Sequence, residues 1–349
     1  MIRSLRLVDF RCFEALNLVF PPGSAVFVGE NAQGKTSLLE AVCVLVRLQS
    51  PRTHRMGHLQ RHEAPGFGVA GECWGQERRV SRGAGGFEMR VDGDAVDSQG
   101  DYLSTGGLLV WMGNEDLELV RGPGEVRRRF LDFVAMQLDP SYRRHLFRYR
   151  RALKARNILL RARHLDEEQI AAYTSVLVED GEQLQRIRSL LVGQLAGPVS
   201  VAQEAVSGKR ETVGLEYRAA GAGDLRAAFE KEAERERRQG KTIVGPHRDD
   251  VVFSLNGLAA SDFGSEGQQR TLALALKLGQ GELLEQERGR APVYLIDDIF
   301  GELDTQRRNA LMDCLPADGQ QLITTTSLAW LGRESPTLFR VENGMVISP

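Results

Sequence analysis

The stretch that decides the fold is Gly29-Glu30-Asn31-Ala32-Gln33-Gly34-Lys35-Thr36, which fits the phosphate-loop pattern G-x-x-x-x-G-K-[ST] at every fixed position. It follows the apolar run Ala25-Val26-Phe27-Val28, which predicts a buried parallel strand. The segment from Ser37 to Leu45 has helix formers and neither proline nor glycine, which predicts a helix. Strand, glycine-bounded loop and helix together are the context that this motif requires.

The chemistry of phosphate binding explains the fixed residues of the loop. Gly29 and Gly34 permit backbone angles and close approaches that a Cβ would block. Successive backbone N–H groups can then face a phosphate chain at a helix N-terminus, where the dipole favours negative charge. Lys35 would reach the β- and γ-phosphates, and the Thr36 hydroxyl would hold Mg²⁺. The nucleotide-binding residues predicted here are Gly29, Glu30, Asn31, Ala32, Gln33, Gly34, Lys35, Thr36 and Ser37.

A second polar element follows the apolar run Val293-Tyr294-Leu295-Ile296, which predicts a strand ending in Asp297 and Asp298. Asp297 can hold Mg²⁺ beside the γ-phosphate, directly or through water. Asp298 is placed to orient or deprotonate the attacking water. An ordinary strand end before an acidic turn is the alternative, but the phosphate loop upstream favours a site. We therefore predict catalytic roles for Lys35 and Asp298, and metal ligation by Thr36 and Asp297.

A third element is Gly264-Ser265-Glu266-Gly267-Gln268, which precedes the strongly helical run Thr271 to Leu278. Ser265 and Gln268 have the spacing of a capping box. Serine and glycine at a helix N-terminus can form a second anion-binding site. Taken alone, the pattern fits a capped core helix better.

Composition is that of an ordinary soluble globular chain, with 349 residues, 42% hydrophobic and 26% charged. The length predicts about two domains. The N-terminus lacks the apolar block of a signal peptide, and no run approaches the ~20 apolar residues of a membrane span. The four cysteines are far apart and predict reduced thiols rather than a disulfide frame or a zinc site. We therefore expect a cytoplasmic protein with no membrane partner.

The segment from Glu125 to Leu195 has helical periodicity, interrupted at Asp180-Gly181, and predicts two or more antiparallel helices. Its first half is basic: residues 121–163 hold 13 Lys/Arg and 3 Asp/Glu, a local net charge of +10 in a chain whose net charge is −2. A solvated helix face is the alternative, but the imbalance favours contact with nucleic-acid phosphates, which position a protein without reading sequence. The candidate DNA-binding residues are Arg127, Arg128, Arg129, Arg143, Arg144, Arg148 and Arg151.

The order of these elements, followed by Gly301-Glu302-Leu303-Asp304, resembles that of ABC-type ATPases. In that class the signature of one subunit caps the γ-phosphate held by the phosphate loop of another. The resemblance therefore implies that Ser265, Gly267 and Gln268 bind ATP in trans, within an ATP-bridged homodimer. Ser265 lies 236 residues after Gly29, farther than in transporter ATPases, and the insert resembles a shortened arm of the SMC-like DNA-repair branch.

Within that branch the chain resembles the RecF family nearly end to end. Four strings carry the likeness: Leu7-Val8-Asp9-Phe10-Arg11, Gly29 to Ala41, Asp116 to Asp132, and the most family-specific one, Gly245-Pro246-His247-Arg248-Asp249-Asp250. The family implies an ATP- and Mg²⁺-dependent protein that binds duplex DNA and single-strand/double-strand junctions and acts in gap repair. It further implies a weak, DNA-stimulated ATPase and cooperation with RecO and RecR in loading RecA.

The chain departs from transporter ATPases in three places. Asp298 stands where they carry Glu, and its shorter arm predicts slow hydrolysis. No switch histidine is evident, although the segment 324–327 offers hydroxyls in its place. No glutamine fills the metal-contacting loop, and Asn114 is the substitute that the sequence offers. A transporter ATPase subunit and a small-molecule kinase remain alternatives; the long basic insert disfavours the first, and the second leaves Ser265 and Asp297-Asp298 without a role.

The predicted fold is α/β: an ABC-type P-loop ATPase head with a mixed sheet and helices, carrying an inserted helical arm subdomain. Residues 1–114 and 201–349 are predicted to form the two parts of the ATPase domain, with the phosphate loop in the first and the signature and acidic strand in the second. Residues 115–200 are predicted to form the basic helical arm (lobe II).

Overall fold

The structure is a computed structural model that describes residues 1–53, 55–208, 211–221, 223–331 and 336–347. Its strands are β1 (Ser4–Phe10), β2 (Phe13–Val19), β3 (Ser24–Val28), β4 (Phe67–Cys73), β5 (Gln76–Gly83), β6 (Gly86–Val91), β7 (Asp94–Ala95), β8 (Leu109–Gly113), β9 (Val213–Arg218), β10 (Asp250–Leu255), β11 (Leu258–Ala259), β12 (Val293–Asp297), β13 (Gln321–Thr325), β14 (Thr337–Glu342) and β15 (Met345–Ile347). Its α-helices are α1 (Lys35–Arg47), α2 (Gln99–Ser104), α3 (Leu117–Arg121), α4 (Gly124–Leu138), α5 (Pro140–Leu159), α6 (Glu167–Ser207), α7 (Leu225–Gln239), α8 (Ala260–Phe263), α9 (Glu266–Arg288) and α10 (Thr305–Cys314).

The chain divides into two compact units. The first, called the ATPase unit here, combines Met1–Asp116 with Leu284–Pro349, and the second, the helical unit, is Leu117–Leu283. The division near residue 116 lies close to the predicted start of the arm at 115. The predicted end of the arm at 200 instead falls inside α6, and residues 201–283 group with the helices. The reason is local, because β9 pairs with β10 and this small sheet packs on α6.

The core of the ATPase unit is a mixed sheet with the strand order β15-β14-β3-β13-β12-β8. All neighbours are parallel except β14 and β15. Strands β12 and β13 are buried along their whole length, as expected of apolar runs inside a parallel sheet. In register, Asp297 lies beside Thr324 on one side and Gly113 on the other. The carboxyl ends of β8, β12 and β13 therefore meet at one edge, where ligands of α/β proteins bind.

The second sheet of the ATPase unit has the order β2-β1-β4-β5-β6-β7 and is antiparallel in every pair. Arg11 and Cys12 form the tight turn between β1 and β2, in which Phe10 pairs with Phe13 and Arg11 has a φ of 54°. Asp92 and Gly93 form the hairpin turn that joins β6 to β7.

The helical unit corrects one reading of the sequence. The predicted interruption at Asp180-Gly181 is wrong, because both residues lie inside α6, a continuous helix of 41 residues. Asp180 is fully buried and faces His145, with Oδ1 2.8 Å from Nδ1. At Gly181 a Cβ would lie 2.7 Å from the Cδ2 atom of Leu225. Both residues therefore lie in packed positions of the helix. Only the linear sequence, in which aspartate and glycine are poor helix formers, suggests a break.

A buried charge cluster holds the helices to the family-specific string 245–250. Arg188 on α6 lies between Asp132 on α4, 2.7 Å away, and Asp249, 3.2 Å away. Asp249 also accepts a hydrogen bond from Tyr217 and one from the backbone N–H of Ala220, the latter at 2.8 Å. The carboxylate oxygens of Asp249 thus receive several donors, as a buried charge requires.

Within the described residues, no helix is long and apolar enough to cross a membrane.

Candidate nucleotide site

The phosphate loop runs from the end of β3 to the start of α1. Gly34 adopts a φ of 109°, and a Cβ there would lie 2.7 Å from Cys12 Sγ and 3.0 Å from Phe13 Cζ. At Gly29 a Cβ would lie 2.3 Å from the carbonyl oxygen of Val341. Both glycines are therefore required, one by backbone conformation and space and the other by space alone. Asn31 and Ala32 between them are exposed to solvent.

The outer part of this loop is braced from the far end of the chain. Gln33 Oε1 accepts a hydrogen bond of 2.6 Å from the backbone N–H of Asn343. The backbone N–H of Gly344 donates to the carbonyl oxygen of Gln33 at 3.3 Å. The turn between β14 and β15 thus holds the phosphate loop in shape.

The Lys35 side chain folds back and binds the backbone of the phosphate loop. Its ammonium group donates to the carbonyl oxygens of Gly29 and Glu30, at 2.7 and 2.8 Å. Burial lowers the pKa of Lys35, and the carboxylates of Asp298 and Asp297 act in the opposite direction. The ammonium charge therefore lies at the centre of the loop. A bound phosphate group would compete with these two carbonyl oxygens for the ammonium group.

The Thr36 and Asp297 side chains meet, although 261 residues separate them in sequence: Thr36 Oγ1 donates to Asp297 Oδ1 at 2.9 Å. Thr324 Oγ1 donates to the same oxygen at 2.7 Å. Burial raises the pKa of Asp297, while these two hydroxyl donors act to lower it. The two predicted metal ligands are therefore adjacent.

The donor set fits Mg²⁺. A hydroxyl and a carboxylate are hard oxygen ligands, and Mg²⁺ commonly takes one or two such protein groups with phosphate oxygens and water. The described residues contain no group of three His, Cys, Asp or Glu side chains arranged to hold a metal ion. The protein thus offers a partial shell, suited to a cation that arrives with a nucleotide.

Asp298 has an unusual backbone conformation, with a φ of 51°. Three neighbours hold it there. Its N–H donates to the Thr324 carbonyl oxygen at 3.1 Å, its carbonyl oxygen accepts from Asn114 Nδ2 at 3.2 Å, and its Oδ1 accepts from the Thr326 N–H at 3.1 Å. Left-handed backbone in a residue with a side chain costs free energy and tends to occur at functional sites. Asn114, predicted as a metal contact, here binds the backbone of Asp298.

Sequence reasoning assigned no role to Glu40, which is fully buried beside the loop. Glu40 accepts two hydrogen bonds from Arg11, of 2.8 and 2.7 Å, and one from Ser50 of 2.5 Å. These contacts tie the β1–β2 turn to α1, and so position the Cys12 thiol against Gly34. An acidic residue within the otherwise apolar stretch 38–46 of α1 was the available signal.

In the helical unit, the capping box predicted from spacing is present at the start of α9. The backbone N–H of Ser265 donates to Gln268 Oε1 at 2.9 Å, and the N–H of Gln268 donates to Ser265 Oγ at 3.3 Å. Ser265 is exposed, while Gly267 and Gln268 are half-buried. The exposed serine leaves this helix end accessible to a ligand.

The candidate DNA-binding arginines fall into two groups. Arg127 makes a two-pronged ion pair with Asp250, of 2.7 and 2.9 Å, and Arg128 donates to the carbonyl oxygen of Asp249 at 2.7 Å. Arg129 pairs with Glu125 on the same helix. Burial lowers the pKa of Arg143 to about 10. These four therefore have internal partners or buried settings.

The second group lies along α5. Arg144, Arg148 and Arg151 are exposed and spaced i, i+4 and i+7, so they share one helix face. Arg148 pairs with Glu179 and Asp180, each at 3.2 Å, whereas Arg144 and Arg151 make no hydrogen bond or ion pair within the described residues. Phe147 on the same face is 50% exposed. We call Arg144, Phe147, Arg148 and Arg151 the α5 stripe.

The chain is similar to known proteins along nearly its whole length. A family model described as an AAA domain matches residues 4–72. The DNA replication and repair protein RecF of Synechococcus sp. (strain JA-3-3Ab) is 37% identical over 371 residues, covering 99% of this chain and 97% of that protein. The chain belongs to the RecF family. The RecF protein of Shouchella clausii (strain KSM-K16) is 34% identical, with 99% of each chain covered.

Solved structures extend the comparison to three dimensions. The recombination mediator protein RecF, solved as RecF-ATPrS in the RecFOR pathway, has a TM-score of 0.90 at 28% identity, covering 100% of this chain and 98% of that one. The Smc head domain of Pyrococcus furiosus has a TM-score of 0.55 at 14% identity, over 99% and 95% of the two chains, and shows the fold alone. The RecF-family chain therefore has the predicted ABC-type ATPase head fold.

Proposed function

We propose that this chain is an ATP-dependent DNA-binding protein that acts as a recombination mediator in gap repair. One observation carries the nucleotide half of the proposal: Thr36 Oγ1 lies 2.9 Å from Asp297 Oδ1. The residues proposed for the two halves of an ATP·Mg²⁺ site are thus adjacent, and Lys35 precedes Thr36 in the loop. The names of its relatives, RecF-ATP among them, support the same reading.

Hydrolysis is the proposed role of Asp298. When bound, Mg²⁺ would neutralise charge that develops on the phosphates. Asp298, held by Thr326 and Asn114, would orient or deprotonate the attacking water. Its side chain is one methylene shorter than that of the glutamate in transporter ATPases. We therefore expect a weak ATPase, which DNA would stimulate.

DNA binding is assigned to the α5 stripe rather than to all seven candidate arginines. Arg144 and Arg151 have charge that no internal carboxylate neutralises within the described residues. Such charges bind phosphates through counterion release, so binding should be independent of sequence and sensitive to salt. Duplex DNA and single-strand/double-strand junctions are the proposed targets.

The proposed switch is an ATP-bridged homodimer. Ser265, Gly267 and Gln268 of one copy would cap the γ-phosphate bound by the phosphate loop of another, since the exposed N-terminus of α9 offers an anion site. Closure would bring two α5 stripes together on DNA, and hydrolysis would release it. RecR, RecO and RecA are the proposed protein partners, as the RecFOR pathway of the solved relative supports.

The decisive test compares molecular mass and DNA affinity with and without ATP·Mg²⁺. We expect the wild-type chain to dimerise with ATP, and Ser265→Arg to stay monomeric while still binding nucleotide. Lys35→Met should lose both nucleotide binding and nucleotide-dependent DNA binding. A Ser265→Arg variant that dimerises like the wild type would refute capping in trans, and unaltered DNA binding by Lys35→Met would refute coupling to ATP.

The DNA surface needs its own test. Arg144→Glu with Arg151→Glu should weaken duplex binding at least about tenfold and reduce the slope of log affinity against log salt by about two. Arg226→Glu with Arg238→Glu on α7 is the matched control, because it makes the same charge change at two exposed positions of a helix of nearly balanced charge. Equal loss in the control would contradict the assignment to α5.

A further inference from the structure

One buried hydroxyl group joins the two acidic residues at the end of β12. Thr324 is completely buried at the end of β13, in register with Asp297. Its Oγ1 lies 2.7 Å from Asp297 Oδ1 and 3.1 Å from the backbone nitrogen of Asp298. A hydroxyl can donate one hydrogen bond and accept others. Because a carboxylate accepts and an N–H donates, both contacts are satisfied together.

The Thr324 hydroxyl contacts the backbone of Asp298, and this backbone sets the direction of the Asp298 carboxylate. An aspartate carboxylate is separated from the backbone by one methylene group, so the backbone conformation largely decides where the carboxylate points. A φ of 51° is sparsely populated by residues with side chains, and neighbouring groups must maintain it. The Thr324 carbonyl oxygen and hydroxyl both accept from the Asp298 N–H, each at 3.1 Å.

We propose that Thr324 is a positioning residue for ATP hydrolysis. Its hydroxyl fixes the carboxylate of Asp297 relative to the backbone of Asp298, and so keeps the group that holds the cation and the group that activates water in one geometry. The inference rests on the proposed function, and among the hydroxyl residues 324–327 it assigns this positioning role to Thr324 alone. A chain with glutamate at position 298 would depend on it less, because a longer side chain can compensate for backbone displacement.

The neighbouring threonine provides a matched control. Thr325 is 2% exposed, so it is as buried as Thr324 for practical purposes. Its hydroxyl donates to the carbonyl oxygen of Ser327 at 2.9 Å and accepts from Trp330 Nε1 at 3.0 Å. Within the described residues, the Thr325 hydroxyl makes no hydrogen bond to Asp297 or Asp298. Thr325→Val therefore removes a buried hydroxyl of the same strand without touching Asp297 or Asp298.

The experiment compares full-length Thr324→Val, Thr324→Ser and Thr325→Val in steady-state ATP hydrolysis with duplex DNA. A fluorescent ATP analogue without Mg²⁺ measures nucleotide binding separately. We expect Thr324→Val to lower kcat about tenfold or more, since it removes hydrogen bonds to a charged group and to a strained backbone, with metal-free affinity within about twofold of wild type. It should also require more Mg²⁺ for half-maximal rate. Thr324→Ser should restore most of kcat, and Thr325→Val should keep it.

Two results would overturn the proposal: a Thr324→Val kcat equal to that of Thr325→Val, or a Thr324→Ser variant as impaired as Thr324→Val. If the valine variant does not fold, as thermal unfolding would reveal, Thr324→Ala replaces it in the same comparison. Asp298→Asn separates the two levels of inference. Wild-type hydrolysis by Asp298→Asn would refute the role in hydrolysis proposed for Asp298, whereas an inactive Asp298→Asn with an active Thr324→Val refutes only the role of Thr324.

Discussion

Arg188 and Asp249 form a buried ion pair in the helical unit, with Nη1 3.2 Å from Oδ2. Their side chains are 3% and 0% exposed, so neither charge is solvated by water. Removing one partner of such a pair leaves an uncompensated buried charge, which costs far more than the pair contributes. The pair also joins α6 to the family-specific string 245–250, so its loss affects the frame that carries the α5 stripe.

Arg188→Ala should therefore lower the free energy of unfolding by about 3–5 kcal/mol. Arg186→Ala is the control, because Arg186 is exposed on the same helix, and we expect it to change stability by less than about 0.5 kcal/mol. Urea denaturation followed by circular dichroism measures both. Equal stability of the two variants would show that the buried cluster does not hold the unit together.

His247 predicts a pH dependence of stability. Its Nε2 lies 3.1 Å from the Thr242 carbonyl oxygen and its Nδ1 lies 2.7 Å from Tyr149 Oη. A carbonyl oxygen only accepts, so Nε2 carries the proton and neutral Nδ1 accepts from Tyr149. Burial lowers the pKa of His247 to about 4. The unfolded chain, with a pKa of about 6.5, binds the proton more readily, so stability is lost as the pH falls through 6.5 toward 4.

Between pH 7 and pH 5 this residue should cost the fold about 2 kcal/mol. His247→Gln should remove that part of the pH dependence, whatever its effect at pH 7. The exposed His164→Gln should leave the dependence unchanged. Chemical denaturation of all three proteins at both pH values provides the measurement, and parallel curves for wild type and His247→Gln would contradict the assignment.

Gly34→Ala tests the shape of the phosphate loop. Its Cβ would collide with Cys12 and Phe13 from a left-handed backbone, so the loop must open. We expect nucleotide affinity to fall at least about tenfold. Gly23→Ala matches it in backbone strain, with a φ of 82°, but has nothing within 4 Å of the new Cβ. Gly23→Ala should cost roughly 1 kcal/mol of stability and leave nucleotide binding intact.

Arg127 separates structural charge from DNA-binding charge. Its side chain is 12% exposed and bound to Asp250. Arg127→Gln should therefore lower stability by about 1–3 kcal/mol and leave the salt dependence of DNA binding unchanged. Thermal unfolding and a salt titration of duplex binding measure the two effects. A smaller salt slope with unchanged stability would instead make Arg127 a phosphate contact.

The proximity of Thr36 to Asp297 was predictable because both residues occur in short motifs with fixed spacing. The phosphate loop and Asp297-Asp298 each follow an apolar strand, and parallel strands deliver their ends to one edge. The sequence offered the hydroxyls of segment 324–327 together, but the particular contacts of Thr324 with the two acids were not predictable, since threonine is common in any strand. Its contacts depend on the register between β12 and β13, which a linear pattern does not contain.

For a similar reason, the count of charges in the sequence could not separate arginines with a carboxylate partner from those without one. The stretch 121–163 is basic in sequence, but the partner of Arg127 lies 123 residues downstream. Asp180-Gly181 misled in the opposite direction: both are poor helix formers, yet α6 continues through them, with Asp180 paired to His145 and Leu225 packed where a Cβ on residue 181 would lie. Local propensity is a weak guide where tertiary packing decides.

The position of β3 has a consequence for biosynthesis. Its neighbours in the sheet are β13 and β14, at Gln321–Thr325 and Thr337–Glu342, whereas β3 itself ends at Val28. At about 5–20 residues per second, a ribosome needs on the order of 15–60 s to make the chain between β3 and β14. During that interval the strand has no partner on either side, while the helical unit, which is one continuous segment, can be completed first. Nascent chains should thus acquire their nucleotide site last, and apolar residues 25–28 are the segment that a ribosome-associated chaperone would need to shield.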